Sequence, residues 1–163
     1  MPFDPIAEAR RQWDAHWEEP PTAQMAAVTS IFRAQQILLA RLNELLAPSD
    51  LTFARYEALM LLHYSRRGEL PLGKISDRLQ VHRASVTNVI DKLTERGYVE
   101  RIPHTKDRRA VLARITPEGK RAAKKATKVL NDADFAMAPL SPGACEALYE
   151  TLTPLRADAD HFH

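Results

Sequence analysis

Residues 71–119, PLGKISDRLQVHRASVTNVIDKLTERGYVERIPHTKDRRAVLARITPEG, decide the fold. Ile75 and Leu79 stand four residues apart, and Val86, Ile90 and Leu93 recur at spacings of four and three, with Val89 beside them. This spacing predicts two short amphipathic helices, over 72–79 and 83–96, whose apolar stripes face each other while Val81 plugs the tight turn. Gly97 ends the second helix. Strands are expected over 98–102 and 109–115, the latter with Val111, Ala113 and Ile115 on one face, joined by a loop at 103–108. A helix pair followed by a hairpin is a winged helix-turn-helix. Thr116-Pro117-Glu118 then starts another helix: a capping hydroxyl, a proline at the first helical position and an early carboxylate.

Upstream, Thr52 is placed to cap a helix reaching about residue 65 through Tyr56, Leu59 and Leu62, closed by Arg66, Arg67 and Gly68. Leu70 suits a short strand. A long helix over 22–47 carries Met25, Val28, Phe32, Leu39, Leu42 and Leu46 near helical spacing, and Pro48 stops it. Before it, residues 4–18 form an amphipathic helix with Ile6, Ala9, Trp13 and Trp17 on one face, ended by Pro20 and Pro21. Downstream, the helix begun at Thr116 is expected to reach about residue 138, with a break at 139–143 and a last helix over 144–159. The fold class is mostly α with a small β wing. Residues 1–21 form an arm, 22–48 with 117–163 a helical dimerisation region, and 49–116 the winged lobe.

The net charge of +2 conceals segregation. Between Arg66 and Lys128 there are 17 Lys and Arg against 7 Asp and Glu, which leaves 6 against 14 in the rest of the chain. A basic centre between acidic ends suits an anionic partner. With no signal-like or membrane-spanning run and a single cysteine, Cys145, the chain is expected in a reducing cytoplasm.

The outward face of the second helix carries Arg83, Ser85, Thr87, Asn88 and Lys92, with His82 at its start. Short hydrogen-bonding groups in the amino-terminal half, plus cations, suit the edges of bases and the phosphates beside them. A polar outer face is ordinary for any exposed helix; its place as second member of a tight-turn pair gives it weight. The wing is more specific. Lys106, Arg108 and Arg109 crowd its tip around Asp107, and adjacent cations repel unless an anion joins them. Asp107 is expected to orient Arg109 toward a DNA minor groove, leaving Lys106 and Arg108 to the backbone.

From about residue 22 to 159 the chain resembles the MarR family of bacterial transcriptional regulators. The resemblance rests on LTFARYEALMLL (51–62), ISDRLQVHRASVTNVIDKLTERGYVER (75–101) and KDRRAVLARITPEGK (106–120), the last the most specific. It implies a homodimer that binds a palindromic operator in double-stranded DNA, each subunit with one recognition helix and one wing. It also implies a small aromatic effector between the dimerisation helices and the DNA-binding lobe, near Phe32, Tyr56 and His63. No cofactor is implied. Three positions depart from the family pattern: Gln80 where the turn often has glycine, His82 where Ser or Thr usually caps the helix, and Asn88 where arginine is common. The last changes the expected base preference from guanine toward adenine.

Other features are weaker. Cys145 lies among Ala144, Ala147 and Leu148, a setting for an inert buried thiol more than for a redox trigger. Asp158, Asp160, His161 and His163 have the composition of a metal cluster, but a frayed terminus gives no order to four ligands. His104 is isolated. No nucleophile–base pair or phosphate-binding glycine loop exists, so the chain does not read as an enzyme. Two rivals to a DNA-binding repressor remain: a winged-helix protein-interaction module, and a redox- or metal-responsive sensor.

Overall fold

The computed structural model describes residues 3–79, 82–104 and 111–160. The elements run α1 (Pro5–His16), α2 (Thr22–Leu46), α3 (Phe53–Tyr64), β1 (Glu69–Pro71), α4 (Leu72–Leu79), α5 (Arg83–Glu95), β2 (Val99–Pro103), β3 (Val111–Ile115), α6 (Pro117–Asp132) and α7 (Pro142–Asp160). They divide into two compact units, Met1–Arg41 and Leu42–His163. The mostly helical class with a small sheet is as the sequence predicts.

In the first unit Asp4 caps α1, its carboxylate accepting from the Ile6 N–H at 2.9 Å ahead of Pro5. Glu8 sits in the first turn and accepts from Arg11 at 2.7 Å and from Gln12 at 2.9 Å. These bonds stabilise the ionised carboxyl and lower its pKa to about 2. The Thr22 hydroxyl donates to Asp14, tying the start of α2 to α1. No α1 residue is buried: the Trp13 and Trp17 rings meet each other at 6.0 Å, and Trp17 is 62% exposed. Val28, Ile31, Phe32 and Leu39 of α2 are exposed as well.

The second unit holds the core. Leu46, Leu59, Leu62, Ile75, Ile90 and Leu130 have no exposed surface, and Val86, Leu93 and Val99 almost none. Each such side chain contributes about 1.5–3 kcal/mol relative to leaving it in water. Between α2 and α3 a single 3-10 turn, Ala47–Ser49, ends with Asp50 at φ 53°. The start of α3 is capped twice. Thr52 accepts from the Arg55 N–H at 3.4 Å, and the Asn43 side-chain carbonyl accepts from the Phe53 N–H at 2.8 Å.

The sheet order is β1-β3-β2, antiparallel throughout, with Leu70 opposite Ala113 and Arg101 opposite Ala113 from the other side. Gly68, at φ 69°, makes the turn into β1, where a Cβ would also meet the Ile115 side chain at 3.0 Å. In β3 the buried residues are Leu112, Ala113 and Ile115, whereas Val111 is exposed. The simple alternation expected for Val111, Ala113 and Ile115 therefore fails at its first member. Leu112, on the opposite face, lies between Pro71 and Ile102 in the register and is covered from there.

At the start of α6 the Thr116 hydroxyl accepts from the Gly119 N–H at 3.0 Å and donates to the Gly97 carbonyl at 2.7 Å. A Cβ on Gly119 would stand 2.1 Å from the Tyr98 carbonyl oxygen. The Thr-Pro-Glu-Gly start is thus a seam between α6 and the end of α5. α6 then stops at Asp132, earlier than its pattern suggests. Asp134, Phe135 and Ala136 follow at φ 46°, 49° and 62°, a left-handed turn without glycine. α7 starts at Pro142, inside the segment where a break is expected.

Candidate nucleic-acid interface

Helices α4 and α5 form the expected pair. Ile75 of α4 and Val86, Ile90 and Leu93 of α5 are buried, and α5 packs against α3, α4 and β2. That fixes α5 in rotation and leaves Ser85, Thr87, Asn88 and Lys92 exposed along its opposite side. Leu79, expected in the α4 stripe, is half-buried. Ser76, beside Ile75, is buried too, a polar member that the apolar pattern does not announce.

His82 takes over the capping role usually given to Ser or Thr. Its backbone is extended, and its Nδ1 accepts from the Ala84 N–H at 3.3 Å. The accepting nitrogen must carry no proton, so the capping form is the neutral ring protonated on Nε2. Lys92 is held by Glu95, with Nζ–Oε2 at 2.8 Å, which reduces its availability to a phosphate.

Several predicted positions lie outside the described residues: Gln80 and Val81 in the turn, the wing residues Lys106, Asp107, Arg108 and Arg109, and His161 and His163. The side chains of Arg83 and Asp160 do as well. The described root of the wing is a regular ladder from Val99–Ile115 to Pro103–Val111. It carries Arg101, paired with Asp91 of α5 at 2.6 Å, and Arg114, paired with Glu69 at 2.7 Å and Glu100 at 3.6 Å. The Glu69 bond, with the coulombic pull of both carboxylates behind it, raises the Arg114 pKa further. Arg101–Asp91 joins the hairpin to α5, a link between separate segments that no local motif signals.

The three residues expected near a ligand do not form one cluster in a single unit. Phe32 belongs to the first unit and is 63% exposed. Tyr56 and His63 both lie on α3 in the second. Tyr56 is buried, its hydroxyl 3.0 Å from the Thr127 Oγ1 of α6. His63 has a buried Nδ1 with no hydrogen-bond partner among the described residues, and its ring lies 5.5 Å from that of Tyr64. Cys145 is half-buried and lines a cavity of about 530 Å³ with Met137, Pro139 and Leu140. No group of three metal-ligating side chains occurs among the described residues, and no helix among them is long and apolar enough to cross a membrane.

This arrangement has close relatives. The MarR family model matches residues 51–111, from the start of α3 into the wing. Sco5413, a MarR family transcriptional regulator from Streptomyces coelicolor, is 44% identical, covers 86% of this chain and 98% of its own, and superposes with a TM-score of 0.80. The chain belongs to the MarR family of transcriptional regulators. That class, a regulator and not an enzyme, is the one its sequence predicts. The multiple antibiotic resistance protein MarR of Salmonella typhimurium is 31% identical over 78 residues, 48% of this chain and 53% of that protein. The chain thus spans about half the length of the curated relatives that it matches first. A cysteine-to-serine mutant of Escherichia coli MarR, solved with operator DNA, shares the fold at a TM-score of 0.70 and 24% identity, over 78% of this chain and 91% of its own.

Proposed function

We propose that this protein is a repressor that binds a palindromic operator in double-stranded DNA as a homodimer. In this reading α5 enters the major groove, and the hairpin tip brings Arg109, oriented by Asp107, to the adjacent minor groove with Lys106 and Arg108 on the backbone. The observation that carries it is the division of α5: a stripe buried without remainder, and opposite it an exposed row of Ser85, Thr87 and Asn88 behind a capped amino terminus. Such a helix presents hydrogen-bonding groups at a fixed rotation, as base readout requires. The shared fold of the operator-bound MarR mutant supports the docking mode.

Residues 22–48 and 117–163 would form the dimerisation region, with the 1–21 arm laid upon it and 49–116 as the DNA-binding lobe. The exposed apolar residues of α1, α2 and α7 supply a surface for that role. A small aromatic effector is assigned to the α3 face bearing Tyr56 and His63, on the strength of the unpaired His63 Nδ1, a buried acceptor or donor awaiting a polar group.

The test is selection of bound duplexes from a random library by the purified protein, followed by competition binding. A two-fold symmetric site is expected, bound by two chains. A lack of sequence preference, or tight binding to one unrepeated half-site, would defeat the proposal. Calorimetry with phenolic acids, on wild type and His63→Ala, tests the effector assignment; a binder indifferent to His63→Ala would remove it.

A further inference from the structure

The second unit contains a wide-mouthed cleft of about 600 Å³ at the root of the wing. Its walls come from three separate segments: Tyr64, Arg66 and Arg67 at the end of α3, Arg78 in the last turn of α4, and His104 with Leu112 from the hairpin. Leu112 is buried and forms part of an apolar floor, while Arg66, Arg67 and Arg78 are exposed.

Positive charge converges on these walls, since three of the lining residues are arginines. Arg11, Lys92, Arg96, Arg101, Arg114, Arg121 and Lys128 each have a carboxylate partner, whereas other cations, Lys74 and Lys124 among them, have none among the described residues. Arg66, Arg67 and Arg78 pair with no acidic side chain among the described residues, although they border one concavity. The acidic residue in the lining, Glu69, is engaged by Arg114 through Nη2 at 2.7 Å and Nε at 2.8 Å. Three guanidiniums around one cleft repel one another, and their planar donor forks match phosphate oxygens. The cleft also adjoins the hairpin in space: Pro71 pairs with Leu112, and Pro103, next to His104, pairs with Val111. Its cations thus extend those carried in sequence by the wing tip.

We propose that this cleft is a phosphate-binding site that takes backbone phosphates of the DNA strand running past the wing, outside the base pairs read by α5. The inference rests on the DNA-binding reading above and deepens it. The cleft sets affinity and footprint length, not sequence preference, because phosphates carry no base identity.

The experiment compares wild type, Arg66→Ala/Arg67→Ala, Arg78→Ala and the control Lys124→Ala, exposed on α6. Each is bound over a salt series to the selected operator with long flanks and with flanks trimmed to the core. Wild type should show a steeper salt dependence on the long duplex. Each arginine removed should lower that slope by about 0.9 per lost phosphate contact, with no effect on the trimmed duplex. Lys124→Ala should match wild type. Equal slopes for wild type and cleft variants on both duplexes would overturn the proposal. In parallel, inorganic pyrophosphate is titrated calorimetrically into DNA-free protein. Pyrophosphate binding that the cleft variants abolish, without any flank dependence, assigns the cleft to a free phosphorylated molecule and overturns the DNA assignment. If no operator emerges from selection, the DNA-binding reading fails by itself, and the pyrophosphate arm still judges the cleft. Circular dichroism of each variant confirms that the fold is retained.

Discussion

At Gly119 the sequence tolerates a single side chain, hydrogen. A Cβ there would press on the Tyr98 carbonyl at 2.1 Å, and that carbonyl is backbone, not a flexible side chain that can swing away. Gly119→Ala should therefore cost at least the roughly 1–3 kcal/mol typical of overpacking, roughly 2–12 °C in melting temperature for a chain of this size. A melting curve that matches wild type would show that the seam between α5 and α6 has slack. His82 permits a finer test. Removing its cap in His82→Ala should cost about 1 kcal/mol, and His82→Ser should recover most of it by supplying the usual hydroxyl acceptor. Urea unfolding of the three proteins decides this; equal midpoints for wild type and His82→Ala would mean that the 3.3 Å bond adds nothing. On DNA, Asn88→Ala should relax discrimination at one base pair by about 1–3 kcal/mol, whereas Arg109→Ala should weaken all sites and lower the salt slope. If competition binding shows both variants failing in the same way, the division between readout and positioning is wrong.

At the scale of elements, α1 is held by end effects because it buries nothing. Asp4 satisfies an early N–H, and Glu8 joins Arg11 and Gln12 across one turn. With the Glu8 pKa lowered to about 2, its contribution is complete above the ordinary carboxylate pKa and disappears as the pH falls through about 2. A carbon-13 titration should place the Glu8 midpoint near 2, and Arg11→Ala should return it toward the ordinary range of about 4. A midpoint already in that ordinary range in the wild type would show that the bonds are not held in solution. The elements also show what local pattern can reveal. α4 and α5 were legible to within a residue because apolar spacing, a tight turn and Gly97 agree. The end of α6 was not: the chain leaves the helix through left-handed Asp134, Phe135 and Ala136, and no glycine marks the spot. Such a turn costs roughly 1–2 kcal/mol per residue, so surrounding structure imposes it and local propensity does not. Asn43 capping α3, Arg101 holding Asp91 and the three-arginine cleft share that character. Each joins residues ten or more positions apart, and periodicity carries no information about such meetings.

For the whole molecule the telling quantity is the apolar surface left in water. Val28, Ile31, Phe32 and Leu39 on α2 and Leu148, Tyr149 and Leu155 on α7 are exposed, the last at 65%. Soluble monomers seldom leave so much contiguous helix face uncovered, and an obligate interface of about 2,000 Å² or more is the usual reason. Two-fold symmetry would then fix the distance between recognition helices at about 34 Å, one turn of duplex, so the operator should be a palindrome with that half-site spacing. Leu148→Glu combined with Leu155→Glu places two charges on α7 while leaving α3, α4, α5 and the sheet untouched. The variant should sediment as a monomer at micromolar concentration, where wild type should sediment as a dimer. Its affinity for the palindrome should fall to that for a lone half-site, since linking two readers multiplies affinity by an effective concentration that a monomer lacks. Its preference within the half-site should persist, because α5 remains in place. A wild-type chain that sediments as a monomer and binds the full palindrome one to one would end this account, and would leave the exposed faces of α2 and α7 to another partner.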